Sequence, residues 1–294
     1  MPFDTILVPV DGSELGDGIL TQLRRLLVRQ DARVTLLRAV PEADDARPTQ
    51  ERLDAAQAHL GRLRTDLVTR GVDARSLVLL GDPAAVILDV AATERPALVA
   101  MSTPGRRGPA RWLRGSVAER VLRGCEAPLL LANPRALAEG PASPGELRFE
   151  RLLVPLDGSA LGASITPAVI DLARSFQAEV TLLHVGAPPP VLIDNPMAYL
   201  PLTPTPEELA RVVEPVRAQL AVAGLRARVE VAYGPPAYHI LAEADRVPGT
   251  LLAMTTHGRT GSRRWLLGSV AEVVLRSATC PLFVQRVVPA PPRG

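Results

Sequence analysis

Short apolar runs alternate with amphipathic stretches along the whole chain. Residues 5–10 read Thr-Ile-Leu-Val-Pro-Val, the near-continuous apolar pattern of a strand buried on both faces. Asp11-Gly12-Ser13 ends it with turn chemistry. Leu15, Ile19, Leu23, Leu26 and Leu27 then recur at helical spacing. Residues 33–40 predict a second strand, and 41–48 an acidic, proline-flanked loop. Residues 51–70 predict a helix through Leu53, Ala56, Leu60, Leu63 and Leu67, closed by Gly71. A strand over 74–80, a helix over 84–93, a strand over 97–101, a helix over 117–123 and a strand over 128–132 follow.

The pattern then restarts. Arg151-Leu-Leu-Val-Pro-Leu-Asp-Gly-Ser159 repeats Thr5-Ile-Leu-Val-Pro-Val-Asp-Gly-Ser13. Glu179-Val-Thr-Leu-Leu-His-Val185 repeats the segment from Arg33 to Val40, and Gly268-Ser-Val-Ala-Glu272 repeats Gly115-Ser-Val-Ala-Glu119. The chain is an internal duplication. Residues 133–147, rich in Pro, Gly, Ala and Ser, read as the linker. The expected domains are 1–134 and 149–288, with 135–148 between them. The second copy differs by a longer proline-rich loop, 186–206, and by Pro215, which predicts a break in the following helix. Alternating strands and helices imply an α/β fold in which a mostly parallel sheet is covered on both faces. The order 3-2-1-4-5 would bring the ends of strands one and four to one crevice, the usual ligand position in such sheets.

Two loops carry the candidate chemistry. After the fourth strand of each copy, a glycine, nine residues and Gly-Ser lead into a helix: Gly105 to Gly115-Ser116 in the first, Gly258 to Gly268-Ser269 in the second. A glycine behind a strand allows close backbone approach. Gly-Ser at a helix start presents free N–H groups and a hydroxyl at the positive end of the helix dipole. Arginines, among them Arg106 and Arg259, add charge. Together these features make an anion cradle.

Composition narrows the chemistry. All 33 basic residues are arginine, since the chain has no lysine. A P-loop, a kinase-type lysine and a Schiff-base lysine are therefore excluded. The net charge of +2 argues against a dedicated nucleic-acid binder. Cys125 and Cys280 have no metal or disulfide spacing and read as inert buried thiols. The first residues lack a signal-peptide pattern, and no apolar run reaches the roughly 18 residues of a membrane span. A cytoplasmic chain is expected, with neither membrane nor nucleic acid as partner.

The first-strand motif, the Gly-x9-Gly-Ser loop followed by Val-Ala-Glu, and the closing strand Cys280-Pro-Leu-Phe-Val resemble a tandem universal stress protein across nearly the whole chain. The resemblance implies two Rossmann-like domains, of the adenine-nucleotide alpha-hydrolase type, each a five-stranded parallel sheet. It also implies binding of ATP or AMP, with Mg as an accompanying ion, and pairing through the last strand. In a tandem chain that pairing becomes an intrachain pseudo-dimer, with a homodimer as a further assembly. Carried over, Asp157 and Val185 lie by adenine and ribose, and Gly258, Arg259, Gly268, Ser269 and Val270 line the phosphates. The first-copy set is Asp11, Val40, Gly105, Arg106, Gly115, Ser116 and Val117. The family's ATP-binding motif has another glycine three places before the first loop glycine, where this chain has Thr255 and Ser102.

Each motif also has a plainer reading. Asp11 and Asp157 could serve only to close turns, His257 to pack its loop, and Trp112 and Trp265 to plug theirs. His59, His184 and His239 read as structural or surface residues. No metalloprotease motif, Cys-x-x-Cys or nucleophile elbow occurs, and Gly-x-Gly-x-x-Gly is missing from the first strand turn. A non-enzymatic nucleotide-binding stress or signalling module is expected. The alternatives are a nucleotide-free pairing module and a slow ATP hydrolase. Pro104 and Pro109 remove backbone donors from the first loop, which makes the second copy the expected better site.

Overall fold

The computed structural model describes residues 3–27, 32–42, 48–103, 117–138, 148–187, 204–256 and 268–286. The two glycine loops, with Gly105, Arg106, Gly115, Ser116, Gly258, Arg259, His257, Trp112 and Trp265, lie outside them, as does most of the 186–206 loop.

In the first half, β1 (Thr5–Pro9) leads to α1 (Glu14–Asp17) and α2 (Ile19–Leu27). Then come β2 (Arg33–Val40), α3 (Thr49–Thr69), β3 (Asp73–Leu80), α4 (Pro83–Glu94), β4 (Leu98–Ser102), α5 (Val117–Gly124), β5 (Leu129–Ala132) and α6 (Pro134–Ala138). The second half runs β6 (Arg151–Pro155), α7 (Ala160–Ala163), α8 (Thr166–Phe176), β7 (Glu179–Gly186), α9 (Pro206–Arg211) and α10 (Glu214–Val222). It ends with β8 (Ala227–Tyr233), α11 (Pro236–Asp245), β9 (Thr250–Thr255), α12 (Ser269–Ser277) and β10 (Leu282–Gln285).

The strands form one ten-stranded sheet, ordered β3-β2-β1-β4-β5-β10-β9-β6-β7-β8. Each half has the expected 3-2-1-4-5 order and is parallel. The halves meet in a single antiparallel pair, β5 with β10, in which Phe283 opposes Leu130 and Leu282 opposes Leu131. Alternation along the strands then assigns side chains to two cores. Leu130 and Phe283 belong to one with Phe3 and Phe149. Leu129, Leu131, Leu282 and Val284 belong to the other, with Leu7 and Leu153. Both cores run through both halves, so the apolar content of the closing strands is used at the junction.

Three local differences from the sequence reading have physical causes. The first helix is two, α1 and α2, interrupted at Gly18. A Cβ on Gly18 would lie 2.9 Å from a methyl carbon of Leu137, so α6 packs close against the break. The expected linker therefore starts as structure: Asn133 caps α6, and the Gln22 side chain donates to Ala136 O. The third difference is register. Thr5 pairs with Arg33, and Arg151 pairs with Glu179. Counting along the strands matches Ala39 to Val185 and Val40 to Gly186, one place from the sequence match of Val40 with Val185.

Pro215 does accompany a break, between α9 and α10. The apolar spacing Leu209, Val213, Val216, Leu220 repeats Ala56, Leu60, Leu63, Leu67. The helix-closing bonds agree with that match, Val72 N to Leu67 O and Leu225 N to Leu220 O. Leu209 therefore stands where the first half has Ala56.

Candidate nucleotide sites at the strand ends

Asp11 and Asp157 build the same turn. Oδ1 of each accepts from the backbone N–H of the serine two residues on, at 2.9 Å, and from its hydroxyl, at 2.6 Å. The serine oxygen in turn caps the next helix, accepting from Gly16 N or Gly162 N at 2.9 Å. Gly12 and Gly158 take φ of +84° and +81°, which a side chain would oppose. The turn-closing role of the two aspartates is therefore real. It also holds each carboxylate at the C-terminal end of its strand.

Because β1 neighbours β4 and β6 neighbours β9, that turn faces the end of the fourth strand in each half. The first cavity, about 570 Å³, is lined by Asp11, Val40, Met101, Ser102, Val117 and Ala118, among others. The second, about 280 Å³, is lined by Asp157, Val185, Thr255, Gly268, Ser269 and Val270, among others. Every candidate residue within the described part of the chain thus lines one of these two cavities. The early N–H groups of α5 and α12 have no acceptor within their own helices, and both helices start at a cavity wall. Gly268 N donates to Thr256 O at 3.0 Å, tying the start of α12 to the end of β9. Arg120 on α5 pairs with Asp82, the cap of α4, and holds that carboxyl below the usual range. These features fit a nucleotide: a helix N-terminus for phosphate, and apolar strand ends for a base.

Sequence reading missed Arg38 and Arg52, which both line the first cavity. Arg38 lies across the turn, its guanidinium 2.7–2.8 Å from where a Gly12 Cβ would be. Arg52 donates to Pro41 O at 2.8 Å. The counterpart of Arg38 is His184, which is buried and donates from Nδ1 to Leu156 O at 2.7 Å. The signal for Arg38 was its place two residues before the end of β2, legible only once the register is known.

Cys125 and Cys280 are buried and in no disulfide, and burial pushes the Cys125 thiol up. Among the described residues, no group of three or more His, Cys, Asp or Glu side chains could hold a metal ion. No described helix is long and apolar enough to cross a membrane.

The fold and the repeated strand-end cavities define a tandem, doubly wound α/β protein with one crevice at the strand ends of each half. The family model for the universal stress protein family matches residues 2–133 and 148–286, and the chain belongs to that family. It is 27% identical to a universal stress protein of Mycolicibacterium smegmatis, over 96% of both chains. It is 30% identical to the Bacillus subtilis universal stress protein YxiE, over 47% of this chain and 99% of the relative. A universal stress protein of Archaeoglobus fulgidus has the same fold, with a TM-score of 0.74 at 21% identity, over 97% of this chain and 99% of that one.

Proposed function

We propose that this protein is a cytoplasmic adenine-nucleotide-binding stress or signalling module, whose loaded and empty states differ in what they bind. The observation that carries the reading is the meeting, in each half, of the Asp-Gly-Ser turn, the fourth-strand end and a helix N-terminus at one cavity. The first cavity falls inside the range of about 300–1,000 Å³ typical of small-molecule sites. Its chemistry suits a polar, anionic ligand with one apolar end, as ATP or AMP is. Mg would accompany a polyphosphate as its counter-ion. Binding without rapid turnover is expected, because the chain has no lysine and the described residues hold no metal cluster.

Mass spectrometry of small molecules released from denatured, freshly purified protein tests the reading, together with titration of ATP and AMP into the stripped protein. Recovery of an adenine nucleotide, or saturable binding, supports it; neither at millimolar nucleotide overturns it. A turnover of ATP within about 1–1,000 per second would make the protein an enzyme instead. A second reading, a nucleotide-free pairing module, is favoured by Thr255 and Ser102, side chains where the ATP-binding motif has glycine. Thr255 is buried at its cavity wall.

A further inference from the structure

We infer that the two cavities are unequal, and that the first alone is the anionic-nucleotide site, with Arg38 as the residue that contacts the nucleotide's charged part. The inference rests on the nucleotide reading above and deepens it.

Three observations on the described residues carry it. The first is space. The first cavity extends between the end of β2 and the first turns of α3, where Val40, Pro41, Arg52 and Ala55 line it. The second cavity has no such extension among its described lining, which includes neither Gly186 nor any residue of α9. Leu209 is buried and packs on Gly186, its methyl carbons 2.8 and 2.9 Å from where a Cβ would be. The result is about 570 Å³ against about 280 Å³. The smaller volume lies just under the usual range for drug-sized ligands, about 300–1,000 Å³.

The second observation is charge. The charged lining of the first cavity is Asp11 with Arg38 and Arg52. That of the second, among the described residues, is Asp157 alone. An anion entering the first cavity meets a net positive wall, and one entering the second meets a carboxylate. At a partly desolvated site such a difference is weakly screened.

The third is availability. Arg38 is half-buried, lines the cavity and is in no ion pair among the described residues. Its guanidinium lies against the Gly12 turn, and a guanidinium fork suits paired contacts to a phosphate. His184 cannot substitute, since it is buried and bonded to Leu156 O. The prolines of the first glycine loop count against this half, because they remove donors. Charge and space outweigh the missing donors.

The experiment is calorimetric titration of the full chain with ATP, AMP and adenosine, in wild type and in Arg38→Gln. Photolabelling with 8-azido-ATP and peptide mapping then locates the site. We expect one nucleotide per chain, with label in peptides from residues 3–138. Arg38→Gln should weaken ATP and AMP about tenfold or more, in line with loss of a charged hydrogen bond, and leave adenosine unchanged. Two equal sites, label confined to residues 148–286, or equal loss of adenosine and ATP in Arg38→Gln would each overturn the inference while the nucleotide reading stands. Failure of wild type to bind any of the three ligands would remove that reading itself.

Discussion

The methyl carbons of Leu209 stand 2.8 and 2.9 Å from the point where a Cβ on Gly186 would lie. The first half places Val40 and Ala56 at the same two positions, so the copies exchange a large–small pair for a small–large one. Duplicated halves that fill the same space from opposite sides diverge by compensated steps, because close-packed interiors do not tolerate one step alone.

That exchange predicts a coupling. Leu209→Ala should cost about 2–4 kcal/mol, as a buried leucine truncation does. Gly186→Val should cost about 1–3 kcal/mol by overpacking. The double variant recreates the Val40–Ala56 pair, and it should be more stable than the sum of the two losses by at least about 1 kcal/mol. Denaturant unfolding of the four proteins measures this. Simple additivity would show that Leu209 and Gly186 do not share the space.

Asn133 holds the two halves together at the end of β5. Its Nδ2 donates to Ala278 O at 2.8 Å, across the junction, while Oδ1 accepts from Arg135 N and Ala136 N at 2.9 and 3.1 Å. The side chain is buried, so its loss leaves three backbone groups without their partner. Asn133→Ala should destabilise by about 1–3 kcal/mol. Asn133→Asp keeps the cap acceptor but sets a carboxylate against a carbonyl. It should therefore be no better at pH 7 and partly recover as the acid protonates at low pH. Equal stability of Asn133→Asp and wild type at pH 7 would show that the bond across the junction contributes nothing.

Asn133 also marks the limit of what the sequence could show. The strands, their order within each half and the cavity-lining aspartates were legible, because buried parallel strands are short apolar runs and the Asp-Gly-Ser turns repeat. The β5–β10 register was not, since both strands are apolar on both faces and periodicity cannot choose a partner. A composition rich in Pro and Ala hid α6, which is ordered by contacts from Gln22, Gly18 and Ala278 far away in sequence. Arg38 was passed over because an arginine near a strand end reads as solvated until the neighbouring turn is placed.

Asp66 gives a pH dependence. It lies between Arg70 and Arg24, and the hydrogen bond from Arg70, then that from Arg24, holds its carboxyl below the usual value despite opposition from partial desolvation. A carboxyl depressed in the folded state binds fewer protons there than in the unfolded chain near its ordinary pKa. Its contribution is therefore present above that pKa and lost as pH falls through the lower folded value. Asp66→Asn should be less stable than wild type at neutral pH, by an amount that shrinks through the acid range. Because the pair is largely exposed, the neutral difference should be under about 1 kcal/mol. Denaturation midpoints of both proteins at several pH values test this; a difference constant with pH would assign it to packing.

Two glycines inside helical segments separate propensity from packing. Replacing a helical glycine by alanine normally stabilises by about 0.5–1 kcal/mol, because alanine loses less backbone freedom on folding. Gly61, in the middle of α3, has nothing within 4 Å of where its Cβ would be. Propensity should decide there, and Gly61→Ala should raise stability by that amount. Gly16, in α1, is different: its Cβ would lie 2.2 Å from Asp11 Oδ1 and 3.2 Å from Ser13 Oγ. That carboxylate oxygen is the acceptor for both Ser13 bonds, so it cannot yield without opening the turn and disturbing the cap on α1. Loss of a cap costs about 1 kcal/mol by itself, more than the propensity gained. Gly16→Ala should therefore lower stability, by about 1–2 kcal/mol once strain in the turn is added. It should also weaken any ligand that depends on the placement of Asp11. Thermal and denaturant unfolding of the two variants should move in opposite directions from wild type. If Gly16→Ala stabilises as Gly61→Ala does, the Asp11 turn is soft and its carboxylate is not held at the strand end by the chain.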